Sequence, residues 1–227
     1  FIPAPNPRRV RVFLHEKGIE VPTKQIDIMK GEHKKEDYKK LSPLSQIPTL
    51  KLDDGTCITE SIAICRYFEA LHPEPSLMGN NPEEIAVIEM WQRRLELLLM
   101  ISIANTYRHG HPAMAALEDQ VKEWSEASRP RVIKMLHWFD KQMQDKEFMC
   151  LDKYTIADIS ALICFDFAKW PKIEIPEECI NLKNYYEILE LLRNNNINAE
   201  IFLDTKKNLG KQLTLANKRE LDVAIIC

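Results

Sequence analysis

The sequence predicts an α/β unit over residues 1–74, an all-helical unit over 82–190 and a short α/β fragment over 191–227. Three observations carry this reading. Helix, extended segment, Pro-turn, hairpin and helix follow one another in the first part. From Glu83 to about Leu189 the apolar residues recur at helical spacing. Near residue 190 the composition changes abruptly: all 13 Pro, all 4 Trp and all 8 Met precede that point, while 6 of the 12 Asn follow residue 190. Charge divides the same way, with 6 Lys/Arg against 4 Asp/Glu after residue 190 and 25 against 30 up to it. A shift this sharp points to two sequence sources.

The chain has 227 residues, 45% of them apolar and 29% charged, with a net charge of −3. This is the composition of a soluble globular protein. No run of about 18 apolar residues is present to span a membrane. The slightly acidic charge offers no general field for nucleic acid. None of the six cysteines forms a Cys-x-x-Cys pair, so neither redox nor zinc spacing occurs. Cys65 and Cys164 lie in apolar runs and read as buried thiols of a reducing, cytoplasmic protein. No signal or transit segment is visible. The chain opens on Phe1 rather than Met, and the expectation is that its native beginning is missing.

The elements follow in order. Phe1 to Pro7 is a Pro-rich opening unsuited to a continuous strand. Arg8 to Lys17 reads as a helix with Val10, Phe13 and Leu14 on one face, stopped by Gly18. Glu20 to Ile28 is extended, and Gly31 to Leu41 is a charged loop or short helix. Thr49 to Leu52 and Thr56 to Ile58 read as strands joined by Asp53-Asp54-Gly55, a strong hairpin signal. Thr59 to Leu71 is a helix carrying Ile62, Cys65, Tyr67, Phe68 and Leu71. His72 to Pro82 is the linker. Ile85, Ile88, Leu95, Leu98 and Ile101 then mark a long helix ending near Gly110. Further helices are predicted over Met114–Trp124, Val132–Met143 and Ile156–Phe167. Thr155-Ile-Ala-Asp158 is a capping box flanked by Tyr154 and Ile159 as a hydrophobic staple. His109-Gly-His111 has no third ligand nearby and reads as a helix end rather than a metal site.

Ser45-Gln46-Ile47-Pro48-Thr49-Leu50 precedes a strand. A cis Ile47–Pro48 bond would turn the backbone N–H and C=O of Ile47 outward, free to pair with an extended peptide. A plain trans-Pro loop is the other reading, and spacing alone favours it.

Lys30-Gly-Glu-His-Lys34, Gln46-Ile-Pro-Thr-Leu50, Thr59-Glu-Ser61 and Thr155-Ile-Ala-Asp158, in that order, resemble the cytosolic glutathione transferases, in particular the theta-like and related bacterial members. The resemblance covers about residues 1–190. It implies a thioredoxin-like α/β domain followed by an all-α domain, with the central first strand truncated here. It implies glutathione as co-substrate, a small electrophile as second substrate, no metal, and a homodimer. Carried over by position, the Ile47 backbone beside Gln46 and Pro48 binds the cysteinyl part of glutathione. Glu60 and Ser61 hold its γ-glutamyl end, Ser61 from a helix start that suits a carboxylate. His33 and Lys34 lie near the glycyl carboxylate, or form a solvated charged face. Where those classes place a Ser that stabilises the thiolate, this chain has Ala4. Asn6 is the nearest side-chain donor and the candidate replacement, with helix capping as its alternative role. Arg8 and Arg9 add positive potential. Trp91, Tyr107 and Arg108 are candidates for the second-substrate pocket, although aromatic residues at helical spacing commonly form core.

Beyond Arg193, a strand over Ile197–Leu203, a helix over Asn208–Lys218 and a strand over Val223–Cys227 are predicted. Leu209-Gly-Lys-Gln-Leu213, Ala216-Asn-Lys218 and Val223-Ala-Ile-Ile226 resemble part of the anticodon-binding domain of histidyl-tRNA synthetase. Too little of that domain is present to stabilise itself, so no nucleic-acid binding is expected. The leading function is therefore glutathione transfer. The alternative, prompted by Ala4 and the tail, is a non-catalytic glutathione-binding or scaffolding module associated with a synthetase.

Overall fold

The computed structural model describes residues 4–194, with side chains as far as Leu189. The predicted tail elements and the question of a first strand lie outside the described residues. Helix α1 spans Pro5–Glu16, starting three residues before the predicted Arg8. Pro5 and Pro7 fit its first turn because the amides they lack would have no helical acceptor there. Gly18, with φ 64°, ends the helix as predicted. The extended stretch that follows pairs with no other strand among the described residues. A 3₁₀ turn at Glu32–Lys34 and the short helix α2, Glu36–Lys39, then lead to the hairpin.

Strands β1, Thr49–Lys51, and β2, Cys57–Thr59, pair antiparallel with Thr49 opposite Thr59. The predicted turn closes them: Leu52 C=O accepts from Gly55 N–H at 3.0 Å, and Asp54 Oδ1 accepts from Thr56 N–H at 2.8 Å. Helix α3, Ser61–Leu71, buries Ile62, Ile64, Cys65 and Phe68. Leu71, predicted on that face, is exposed because the helix ends there.

The linker after α3 is pinned. Lys17 Nζ lies 2.5 Å from Glu69 Oε2 and donates to the carbonyls of His72 and Pro75, each at 2.6 Å. Glu69 Oε1 accepts from the amides of Leu77 and Met78 at 2.9 Å each. A buried ammonium is tolerable only with such a full set of acceptors. Leu77 and Met78 are buried, and Leu77 C=O accepts from Ile156 N–H at 2.9 Å, which ties the linker to the helical unit.

Helix α4, Pro82–Arg94, starts at Asn81, whose Oδ1 accepts from Glu84 N–H at 2.9 Å. It continues through a π-helical segment, Leu95–Met100, into α5, Ile101–Gly110. The end near Gly110 agrees with prediction, but the apolar face does not. Ile88 and Leu95 are buried, whereas Ile85, Leu98 and Ile101 are exposed. The inward face instead runs through Ile88, Trp91, Leu95, Leu99 and Ile103. The wider π turns shift the phase, and a second apolar stripe runs along the opposite side.

Helix is also absent over most of Met114–Trp124. A 3₁₀ turn occupies Pro112–Met114, and α6 begins only at Lys122 and runs unbroken through Pro130 to Gln142. The intervening segment caps α5. Gln120 Nε2 donates to the carbonyls of Arg108 (2.7 Å) and His111 (2.9 Å), and Val121 N–H donates to His109 Nδ1 at 3.1 Å. Orphan carbonyls at a helix end need such partners.

Helix α7, Ile156–Ala168, is the axis of the helical unit, buried at every residue except Asp166. Helix α8 spans Ile180–Asn194. The capping box of α7 reaches further than predicted. Fully buried Asp158 accepts from Thr155 N–H (2.8 Å), Thr155 Oγ1 (3.0 Å), Met149 N–H (2.7 Å) and Tyr185 Oη (2.6 Å). Burial pushes its carboxyl up to about 6, while these donors pull the other way. Asp158→Asn sets an amide N–H against those donors. It is expected to lower unfolding stability by about 3 kcal/mol in urea titration; a change under about 0.5 kcal/mol contradicts this role.

Candidate active site

The hairpin register assembles the site. Because Thr49 faces Thr59, the residues just before β1 and just after β2 come together at one end of the ladder. Ile47 and Pro48 stand on one side, Glu60 and Ser61 on the other. The Ile47–Pro48 bond is cis, against the reading that spacing alone favours and in line with the resemblance. Among the described residues, neither the N–H nor the C=O of Ile47 has a hydrogen-bond partner. The loop that carries it is held from behind. Gln46 C=O accepts from Tyr38 Oη at 2.8 Å and from Ser42 Oγ at 3.0 Å, and Gln46 N–H donates back to Ser42 Oγ at 3.1 Å. The outcome is a fixed backbone with a free donor and acceptor, able to take an extended peptide as an added strand.

Glu60 holds φ 68° and ψ 118° immediately before α3. A non-glycine residue at positive φ is strained, and such strain collects at functional sites. It lets the chain turn from β2 into a helix whose first residue, Ser61, is buried at the positive end of the helix dipole. Ser61 Oγ accepts from Arg9 Nη1 at 2.8 Å. The same Nη1 contacts Glu96 Oε1 at 3.0 Å, and Arg9 is only 1% exposed.

His33 is half-buried on the 3₁₀ turn, with its Nδ1 unbonded. Burial, and then the charge of Lys34, lowers its pKa, so the imidazole is biased toward the neutral form. Lys34 is exposed. Both precede α2, whose Tyr38 braces the Gln46 loop.

Ala4 caps α1 with no side-chain hydrogen bond, so the residue expected as a possible cap, Asn6, is not one. Asn6 is the second helical residue and exposed. Because Pro5 and Pro7 lack amides, Asn6 carries the one N–H among the first three residues of α1. Arg8 is committed elsewhere, paired with Asp166 Oδ2 at 2.5 Å.

The three residues expected at a second-substrate pocket are not brought together. Trp91 is 6% exposed and packs against Trp138 and Phe139, under Arg94 and Lys146. Tyr107 and Arg108 lie 16 and 17 residues further along the same helical run, which is about 24–26 Å away at an α-helical rise. Tyr107 is half-buried among His111, Phe167 and Trp170, and Arg108 is exposed with Nε 3.4 Å from Glu118. His109 and His111 both accept backbone amides through Nδ1, and no metal-holding group occurs among the described residues. The described cysteines are unpaired, and burial pushes Cys65, Cys150 and Cys164 up to about 12, far from thiolate.

Sequence reasoning missed Tyr38, Glu96 and the burial of Arg9. A usable signal existed for Arg9, which lies four residues before Phe13 and therefore on the inward face of α1.

This arrangement, a cis-Pro loop facing a Glu-Ser helix start beneath an all-helical unit, defines a class. Residues 4–71 match the family model for the glutathione S-transferase N-terminal domain, and residues 97–190 that for the C-terminal domain. Glutathione S-transferase 2 of Saccharomyces cerevisiae is 34% identical over 190 residues, 82% of each chain. The crystal structure of Gtt2 from the same yeast superposes with a TM-score of 0.78 at 34% identity, covering 83% of this chain and 92% of that one. The chain belongs to the glutathione S-transferase family and is a glutathione transferase with the thioredoxin-like and all-helical halves of that fold. Over 46 residues, 20% of the chain, the sequence is 76% identical to the histidine–tRNA ligase of Pelagibacter ubique, a match that covers a tenth of that protein. This bears out the second resemblance.

Proposed function

We propose that glutathione lies along the end of the hairpin. The free N–H and C=O of Ile47, flanked by Gln46 and Pro48, pair with its cysteinyl backbone. Ser61 Oγ and N–H, with Glu60, hold the γ-glutamyl carboxylate and ammonium. Lys34 attracts the glycyl carboxylate, and His33, as a neutral imidazole, offers it a hydrogen bond. The observation that carries this reading is the Thr49–Thr59 register, which brings two independent peptide-binding elements to one edge. The glutathione thiol loses its proton to solvent, and the thiolate attacks a small electrophile. The new S–C bond forms as the leaving group departs with its electron pair. Asn6 stabilises the thiolate through its side-chain amide and its N–H at the positive end of α1. No metal takes part. Tyr107 and Arg108, neighbours near the end of α5, face the electrophile.

In this reading the chain comprises a glutathione-binding unit, 1–74, a helical unit, 82–190, and a tail, 191–227, that binds no nucleic acid. The protein acts in the cytoplasm as a homodimer. The exposed Met90, Leu97 and Ile101, opposite the buried face of α4–α5, favour that assembly, because a side-by-side apolar stripe on a surface helix calls for a partner.

Asn6→Ala is expected to lower conjugation of glutathione to an aryl halide by about tenfold at neutral pH. Losing a donor to the thiolate raises the thiol pKa, so the acid limb of the rate profile moves to higher pH. Full activity with an unmoved profile removes Asn6 from the mechanism. Sedimentation of the wild type is expected to give two chains per particle and that of Leu97→Glu one; a monomeric wild type contradicts the assembly.

A further inference from the structure

We propose that Arg9 is the positioning residue for the γ-glutamyl carboxylate, acting through Ser61 and held in place by Glu96 of the helical unit. This rests on the placement of glutathione given above. A serine hydroxyl has one proton and two lone pairs, and a guanidinium only donates. With Arg9 Nη1 filling one acceptor position of Ser61 Oγ, the hydroxyl proton must point elsewhere. Among the described residues it reaches no acceptor. Arg9 therefore leaves Ser61 as an aimed and polarised donor, suited to an incoming carboxylate.

The charge balance around Arg9 favours the same ligand. Glu96 is its acidic partner, but Glu96 Oε2 also takes Arg93 Nη2 at 2.9 Å, so its single negative charge is divided. Nε and Nη2 of Arg9 are buried without any acceptor. A buried cation with a shared counter-ion and two orphan donors is costly in the free protein. An anion beside Ser61 offsets part of that cost, which turns an internal imbalance into affinity. Because Arg9 lies on α1, Ser61 on α3 and Glu96 on the π-helical segment, glutathione binding also senses how the two units are seated.

The test compares Arg9→Met with the wild type in calorimetric titrations of two ligands. One is glutathione; the other is 4-aminobutyryl-cysteinyl-glycine, which lacks only the γ-glutamyl carboxylate. The expected result is about tenfold or greater weakening for glutathione and less than about twofold for the analogue. Adding Ser61→Ala to Arg9→Met should bring little further loss, since the two act in series. Equal weakening for both ligands means a merely structural role and overturns the proposal, as does unchanged affinity for glutathione. If the wild type itself does not distinguish the two ligands, the placement of the γ-glutamyl end at Ser61 fails first. Where Arg9→Met does not fold, pairing it with Glu96→Leu replaces both charges by apolar groups and supports the same comparison.

Discussion

Helix α1 has to be seated in a seam between two units while carrying cations on its inward and flanking faces, and the rest of the molecule is arranged to satisfy them. Arg8 meets Asp166 on α7, Arg9 meets Ser61 and Glu96, and Lys17 meets Glu69 and the linker carbonyls. Between them Val10, Phe13 and Leu14 fill the core. Apolar packing alone would let α1 slide along its neighbours. Buried charges such as Arg9 and Lys17 have one good position each, because a displaced one loses its partners at a cost of several kcal/mol, on the order of 3–5; the partly exposed Arg8 adds a weaker anchor. The three together fix the helix along its length. Both halves of the fold then share one frame.

The active site inherits that frame. Its peptide-binding loop is rigid because Tyr38 and Ser42 hold the carbonyl of Gln46, so the free groups of Ile47 are a consequence of good packing behind them. Its proposed carboxylate end is set by the start of α3, which packs against α1. The proposed nucleophile end is the start of α1. Where the resemblance places a serine hydroxyl, this chain has the buried methyl of Ala4, and Pro5 and Pro7 carry no amide N–H. In the proposed mechanism, thiolate stabilisation therefore falls on Asn6.

The sequence was most legible where the signal is local. Asp53-Asp54-Gly55 named its hairpin, Gly18 its helix end and Thr155–Asp158 its capping box, because turn and cap chemistry is decided within a few residues. It was least legible where a distant partner decides. Arg9 reads only as positive potential at a helix start until Ser61 and Glu96 come into view. The segment after Met114 looks helical until Gln120 is seen capping α5 and Val121 N–H is seen bonded to His109. The phase of the long helix was lost because π turns do not announce themselves and two apolar stripes compete. The cis bond before Pro48 was equally invisible to spacing and followed only from family resemblance.

The central claim is that the two free backbone groups of Ile47 receive glutathione. Amide hydrogen exchange at Ile47, followed with and without saturating glutathione, tests it most directly. Free, this N–H has no acceptor and should exchange quickly; bound, it should slow by about tenfold or more, as for a newly formed buried hydrogen bond. Glutathione that binds and leaves the exchange of Ile47 unchanged would contradict the account.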